Sequence, residues 1–157
     1  MKSFEKIVQK LIKNKKTIAT MESCTGGSLA SAITNVEGAS AVFKFGAVTY
    51  SNDFKIKMGV NKKTIDEYSV YSINTAREMA FSISRYAIAD IGVGVTGKMG
   101  VSDPNNNFGD DSRVFVCIYY DDEYYDLILK VNKGTRMEKK DYIIDKIIEF
   151  LDGNLKL

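Results

Sequence analysis

The chain has 157 residues, 45% hydrophobic and 27% charged, with 22 basic against 20 acidic side chains for a net charge of +2. That balance fits one folded domain with a full hydrophobic core, and it offers no bulk positive charge to a polyanion, so no nucleic-acid partner is expected. Histidine is absent, which excludes a Ser-His-Asp triad, a Cys-His dyad and every histidine zinc site, and leaves Lys, Tyr, Asp, Glu, a terminal amine or water as general base.

Phe4, Ile7, Val8, Leu11 and Ile12 fall at i, i+3, i+4, i+7 and i+8 and predict an amphipathic helix. Lys16 to Met21 reads as a buried strand. The turn Met21 to Gly27 comes next, then Leu29, Ala32 and Ile33 at helical spacing among small residues. Asn35 to Ser40 is a loop. Ala41 to Tyr50, rich in Val, Phe and Tyr, predicts a strand. Short helices are expected over 52–59, capped by Ser51 or Asn52 and stopped by Gly59, and over 62–68. Ser72 caps a helix whose Ala76, Met79, Ala80, Ile83 and Ala87 share a side. Ala89 to Thr96 is a strand and 97–112 a polar loop with the only proline, Pro104. Arg113 to Tyr120 and Tyr124 to Val131 form a hairpin around Asp121-Asp122-Glu123. A last helix from about Thr135 buries Ile144, Ile147, Ile148 and Leu151, with Gly153 as its stop.

Early alternation of helix and strand with a late hairpin predicts an α/β fold: a single layered domain over 1–157, its mixed sheet flanked by helices and followed by a C-terminal hairpin and helix. Two cysteines form no disulfide framework, no signal-peptide pattern begins the chain, and no window reaches membrane-spanning length. A cytoplasmic protein with no membrane partner is the expectation. Lys13, Lys15, Lys16 and the pair Lys139-Lys140 read as solvated helix ends.

Several motifs carry chemistry. The turn Glu22-Ser23-Cys24-Thr25-Gly26-Gly27 between strand and helix gathers hydroxyls, a thiol and free N–H groups at a positive helix end, the arrangement that holds an anion. Cys24 is either a thiolate at a helix N-terminus or a small packed side chain; without a histidine partner the second is preferred. Ser23 and Thr25 also read as simple caps. Gly92-Val93-Gly94-Val95-Thr96-Gly97 matches the dinucleotide fingerprint literally, but a polar loop comes after it where a helix is required, so it reads as a Gly-rich strand end lining a pocket. Asp103, Asn105, Asn107 and Asp110 lack the Gly and Glu of a calcium loop; no metal is expected. Gly38-Ala39-Ser40, Tyr50 and Lys55 contain a serine and a lysine, which spacing alone does not bring together.

The runs Glu22 to Gly27, Gly38-Ala39-Ser40-Ala41-Val42-Phe43, Val48-Thr49-Tyr50-Ser51-Asn52 with Lys55, and Gly59-Val60 resemble the CinA C-terminal family, which includes the nicotinamide-nucleotide amidases. Val70-Tyr71-Ser72 and Gly134-Thr135-Arg136 extend the likeness along the chain. The resemblance implies hydrolysis of the carboxamide of nicotinamide mononucleotide to nicotinate mononucleotide and ammonia, without metal or cofactor, by a homodimer or higher homo-oligomer. It makes Ser40 the nucleophile, Lys55 the general base and Tyr50 a residue of the same site. Ser23, Cys24, Thr25, Gly26 and Gly27 would cradle the phosphate or the oxyanion, with Thr96, Gly97 and Arg136 also on the substrate. A lysine base requires an amine lowered from about 10.4 towards neutrality, which burial achieves. Larger CinA proteins carry an additional N-terminal domain, for which this chain has no room. Where the family shows Ser or Thr before Gly-Ile-Ala-Gly-Pro, this chain reads Val93-Gly94-Val95-Thr96-Gly97-Lys98, and Asp111-Ser112-Arg113-Val114 replaces Val-Gly-Thr-Val. Thr96 is the candidate for a displaced hydroxyl. The alternative is a catalytically weakened member that binds a nucleotide for regulation or interaction.

Overall fold

The computed structural model describes residues 1–100, 113–131 and 133–157. In chain order the elements are α1 (Glu5–Lys13), β1 (Ile18–Glu22), α2 (Ser28–Thr34), a single 3-10 turn (Ala39–Ala41), β2 (Phe43–Val48), α3 (Asn52–Lys57), α4 (Lys62–Tyr68), α5 (Ile73–Ala87), β3 (Ile91–Gly97), β4 (Arg113–Tyr120), β5 (Glu123–Lys130) and α6 (Arg136–Asn154). The strands form one mixed sheet in the order β2-β1-β3-β4-β5. β1 pairs in parallel with both β2 and β3, and the β3–β4 and β4–β5 pairs are antiparallel. Ile18 lies opposite Phe43 and Ile91, and Glu22 opposite Val48 and Val95. Three parallel strands therefore end side by side.

Alternation along the central strands divides the core. Ile91, Val93 and Val95 join Leu11 of α1, Leu29 and Ile33 of α2, and Ile144 and Ile147 of α6 on one face. Ala19 and Met21 meet Met79 and Ile83 of α5 on the other, where Ala76 and Ala80 also cover Phe115 and Cys117. Gly92 and Gly94 of β3 lie under α5. A Cβ on Gly92 would stand 2.0 Å from the Ala80 carbonyl oxygen, and one on Gly94 2.4 Å from that of Ala76. Helix backbone rests directly on strand backbone there, so any side chain would have to push the layers apart. Gly92-x-Gly94 is thus a packing device under a helix, and the expected pocket-lining role is corrected.

Local signals explain most boundaries. Ser51 Oγ accepts from the Phe54 N–H, so Ser51 rather than Asn52 caps α3, and Ser72 Oγ accepts from Thr75. Thr135 and Glu138 form a reciprocal capping box at α6. Asp121 and Asp122, at φ 52° and 60°, make a two-residue turn that lets Glu123 pair with Tyr120. Two expected limits moved. The strand predicted from Ala41 starts at Phe43, because Ala39–Ala41 curls into a 3-10 turn. α6 passes through Gly153 to Asn154: Gly153 is not among the glycines of positive φ, so it does not act as a left-handed stop. No helix of the described residues is long and apolar enough to cross a membrane.

Candidate functional site

Ser23 leaves the end of β1, and Lys55 comes from α3, a few residues beyond the end of β2. Because these strands are parallel neighbours, their trailing segments emerge at the same edge of the sheet, the edge where open α/β sheets bind ligands. There Lys55 Nζ lies 3.0 Å from Ser23 Oγ and donates to the Thr49 carbonyl oxygen at 2.7 Å. Lys55 is 1% exposed, and among the described residues its amine meets oxygens from two adjoining segments. The Thr49 hydroxyl is buried and has no hydrogen-bond partner among the described residues, an uncommon state for such a group.

Ser40 is elsewhere. It sits in the exposed 3-10 turn before β2, at the end where Phe43 pairs with Ile18. The full length of β1 separates the two ends, roughly 15–20 Å at about 3.3 Å per residue. The expected Ser40–Lys55 pair is not made, since a residue before a parallel strand and one after it leave at opposite edges. Ser23 takes the place expected of Ser40.

The Ser23–Gly27 turn also differs from expectation. The Glu22 carboxylate, 1% exposed, folds back onto the start of α2: Oε1 accepts from Thr25 Oγ1 at 2.7 Å and from the Leu29 N–H at 2.8 Å, and Oε2 from the Ala30 N–H at 3.0 Å. The positive end of α2 is therefore filled by the chain's own anion, which corrects the reading of this helix end as a cradle for substrate phosphate. Thr25 is committed to Glu22 as well. Gly26 and Gly27 take φ of 60° and 102°, which lets the chain turn sharply here. Among the described residues the Thr25 and Gly27 N–H groups donate to no acceptor. Burial pushes the Cys24 thiol up to about 12. Cys24 packs into the core beside Leu29, a structural thiol and not a nucleophile.

Arg136, first residue of α6, reaches across the same edge, donating to the Met99 carbonyl oxygen at 3.4 Å and to Tyr50 Oη at 3.5 Å. Tyr50, 64% exposed, thus stands at the mouth of the site. Thr96 presents no free hydroxyl to it, and Gly97 is closely packed against β4. Thr96 Oγ1 is buried and donates to the Val70 carbonyl oxygen at 3.0 Å, and a Cβ on Gly97 would stand 2.7 Å from the Arg113 carbonyl oxygen. Both serve packing, so the displaced hydroxyl expected of Thr96 is not available. Asp103, Asn105, Asn107, Asp110, Asp111 and Ser112 lie outside the described residues. Among the described residues no three of His, Cys, Asp or Glu converge where a metal ion could sit.

Comparison with known proteins agrees with this architecture. The model of the CinA C-terminal domain matches residues 1–155. A relative from Clostridium botulinum (strain ATCC 19397 / Type A), named for competence-damage induction, is 36% identical over 159 residues, covering 98% of this chain and 38% of the relative. One from Thermoanaerobacter pseudethanolicus with the same name is 51% identical over 98 residues, covering 61% of this chain and 24% of the relative. The matched regions thus amount to 24% to 38% of the lengths of these curated relatives. The crystal structure of a competence-damaged protein (CinA) superfamily protein from Escherichia coli superposes with a TM-score of 0.87 at 25% identity, over 96% of this chain and 87% of that one. The competence/damage inducible protein CihA of Agrobacterium tumefaciens gives 0.82 at 26% identity, over 97% and 95%. Matched over nearly its whole length, the chain belongs to the CinA C-terminal domain family.

Proposed function

We propose that this protein hydrolyses the carboxamide of nicotinamide mononucleotide, with Ser23 as nucleophile and Lys55 as general base. The observation that carries the reading is the 3.0 Å approach of Lys55 Nζ to Ser23 Oγ, with the amine buried. Burial disfavours a charged ammonium, and a neutral amine at this distance receives the serine proton as Oγ attacks the carboxamide carbon. The same proton then passes to the amide nitrogen, the C–N bond breaks and ammonia leaves. Water, deprotonated by Lys55, attacks the Ser23 ester; the released acid is nicotinate mononucleotide, and the proton returns to Oγ. The Thr49 carbonyl oxygen fixes the amine's direction, and the turn's N–H groups at Thr25 and Gly27 are the donors available to a developing oxyanion. With no histidine in the chain, lysine in this position supplies the base.

A second reading, a nucleotide-binding regulatory module with weakened catalysis, draws on one observation. The Thr96 hydroxyl that could have met substrate is bonded to Val70. Ammonia release from nicotinamide mononucleotide separates the two, together with mass spectrometry of the quenched protein. The amidase reading expects turnover and a nicotinoyl nucleotide adduct on the peptide containing Ser23. Binding without ammonia release would establish the module instead.

A further inference from the structure

Among the described residues two buried side-chain oxygens lack a hydrogen-bond partner, Thr20 Oγ1 and Thr49 Oγ1. An unmet buried hydroxyl costs stability that a valine of the same shape would spare, so each calls for an explanation. The two are placed differently. Thr20 is in the middle of β1, where alternation turns it, with Ile18 and Glu22, towards α2, and its Oγ1 is 2.9 Å from the point where a Cβ on Gly46 would stand. Thr49 follows β2. It donates its N–H to the Glu22 carbonyl oxygen at 2.8 Å, which extends the β1–β2 ladder by one residue and sets Thr49 beside Ser23. Ala19, Met21 and Ala47 pack on the α5 side, and the two-residue period of a strand carries Ser23 and Thr49 to that same side. The Lys55 amine meets both residues, 3.0 Å from Ser23 Oγ and 2.7 Å from the Thr49 carbonyl oxygen. Thr49 is 2% exposed and Lys55 1%, so this threonine is no more enclosed than the lysine.

We infer that the Thr49 hydroxyl accepts one N–H of the substrate's carboxamide and so turns the leaving nitrogen towards Lys55. The inference rests on the amidase reading for the placement of the carboxamide at Ser23. A primary carboxamide brings two N–H donors into this enclosed space, and each needs an acceptor there. Once Ser23 Oγ has added to the carbon, the nitrogen carries two hydrogens and a lone pair. With one N–H held on Thr49 Oγ1, the lone pair faces the Lys55 ammonium. The proton passes from Nζ to that nitrogen, the C–N bond breaks with its electron pair going to nitrogen, and ammonia leaves as the carbonyl re-forms. The base has to meet the same nitrogen, so whatever admits the carboxamide to the amine admits it to the hydroxyl beside it. The substrate thus supplies the partner that Thr49 lacks within the chain, while Thr20, on the other face of the sheet, is out of its reach.

Steady-state kinetics with nicotinamide mononucleotide and with the methyl ester of nicotinate mononucleotide test this, because the ester has no N–H to offer. Thr49→Val is expected to lower the ratio of kcat/KM for amide over ester by about 10-fold or more, the scale of a buried donor left without its acceptor. Thr49→Ser should retain most of that ratio, and Thr20→Val should leave it unchanged. The Tm of both valine variants should not fall, since each substitution removes an unmet hydroxyl. An unchanged ratio in Thr49→Val, or equal losses with amide and ester, overturns the inference and leaves the amidase reading standing. Calorimetric binding of both compounds to Ser23→Ala separates the remaining cases. Adding Thr49→Val should weaken the amide and not the ester. That result with an unaltered protein that turns over neither compound keeps Thr49 as a carboxamide contact and removes the amidase reading, whereas equal binding there removes both.

Discussion

The two edges of the parallel strands carry similar functional groups in opposite states. At the edge where the strands begin, Thr17 and Asp90 satisfy each other in the open: the Thr17 N–H and hydroxyl donate to Asp90 Oδ2, and the Asp90 N–H returns to Thr17 Oγ1. Ser40 lies at the same edge and is exposed. At the edge where they end, Glu22, Ser23, Thr25, Thr49 and Lys55 are all buried, and the amine and carboxylate each bind across two segments. A hydroxyl in water is ordinary. The same group beside a desolvated amine is a candidate nucleophile, because burial raises the free energy of the charged form and so moves protons.

The comparison breaks most sharply under paired serine substitutions. Ser23→Ala should reduce ammonia release by about 10³-fold or more, since nucleophile and base act as one unit. Ser40→Ala should stay within about twofold in the same assay. Equal losses would erase the distinction between the edges. Gly94→Ala probes the strand that both edges share. Its methyl group would stand 2.4 Å from the Ala76 carbonyl oxygen, so a loss of about 3 kcal/mol is expected in denaturant unfolding, at the upper end for overpacking. Smaller again, Glu22→Gln should cost about 1–3 kcal/mol, because an amide cannot accept at both ends and leaves a buried donor unmet. Asp90→Asn at the exposed edge should cost less than Glu22→Gln in the same titration. Comparable values would show that burial does not set the difference.

Much of this organisation was legible in the sequence. The helical periodicity of Phe4 to Ile12, the Ser72 cap and the Thr135 start of α6 all specify local structure, and the mixed sheet with its late hairpin is implied by the order of elements. The residues of the site were legible too, although not their pairing. Ser40 and Lys55 flank the same strand, and only the parallel direction of β2 against β1 shows that a strand's two flanks lie far apart. The signal for Ser23 was available in its position after β1, matched by Lys55 after β2. Glu22 stands in the motif, but its hold on the start of α2 is not legible there, because a carboxylate at a strand end reads as solvated until the next helix is placed over it. The glycines of β3 misled for a related reason: a glycine needed for close packing has the same appearance in sequence as one that admits a ligand.

Cys24 and Cys117 are the only cysteines of the chain, and they lie on opposite faces of the sheet, one packed with the α2 layer and the other under α5. Burial leaves both thiols protonated at neutral pH, Cys24 near 12 and Cys117 shifted up further by burial and by Asp126. A thiol reagent in native buffer should therefore find neither. Each becomes reactive only when its own layer lifts from the sheet, so the two labelling rates time the opening of each layer separately. The molecule carries a built-in clock for each half of its core.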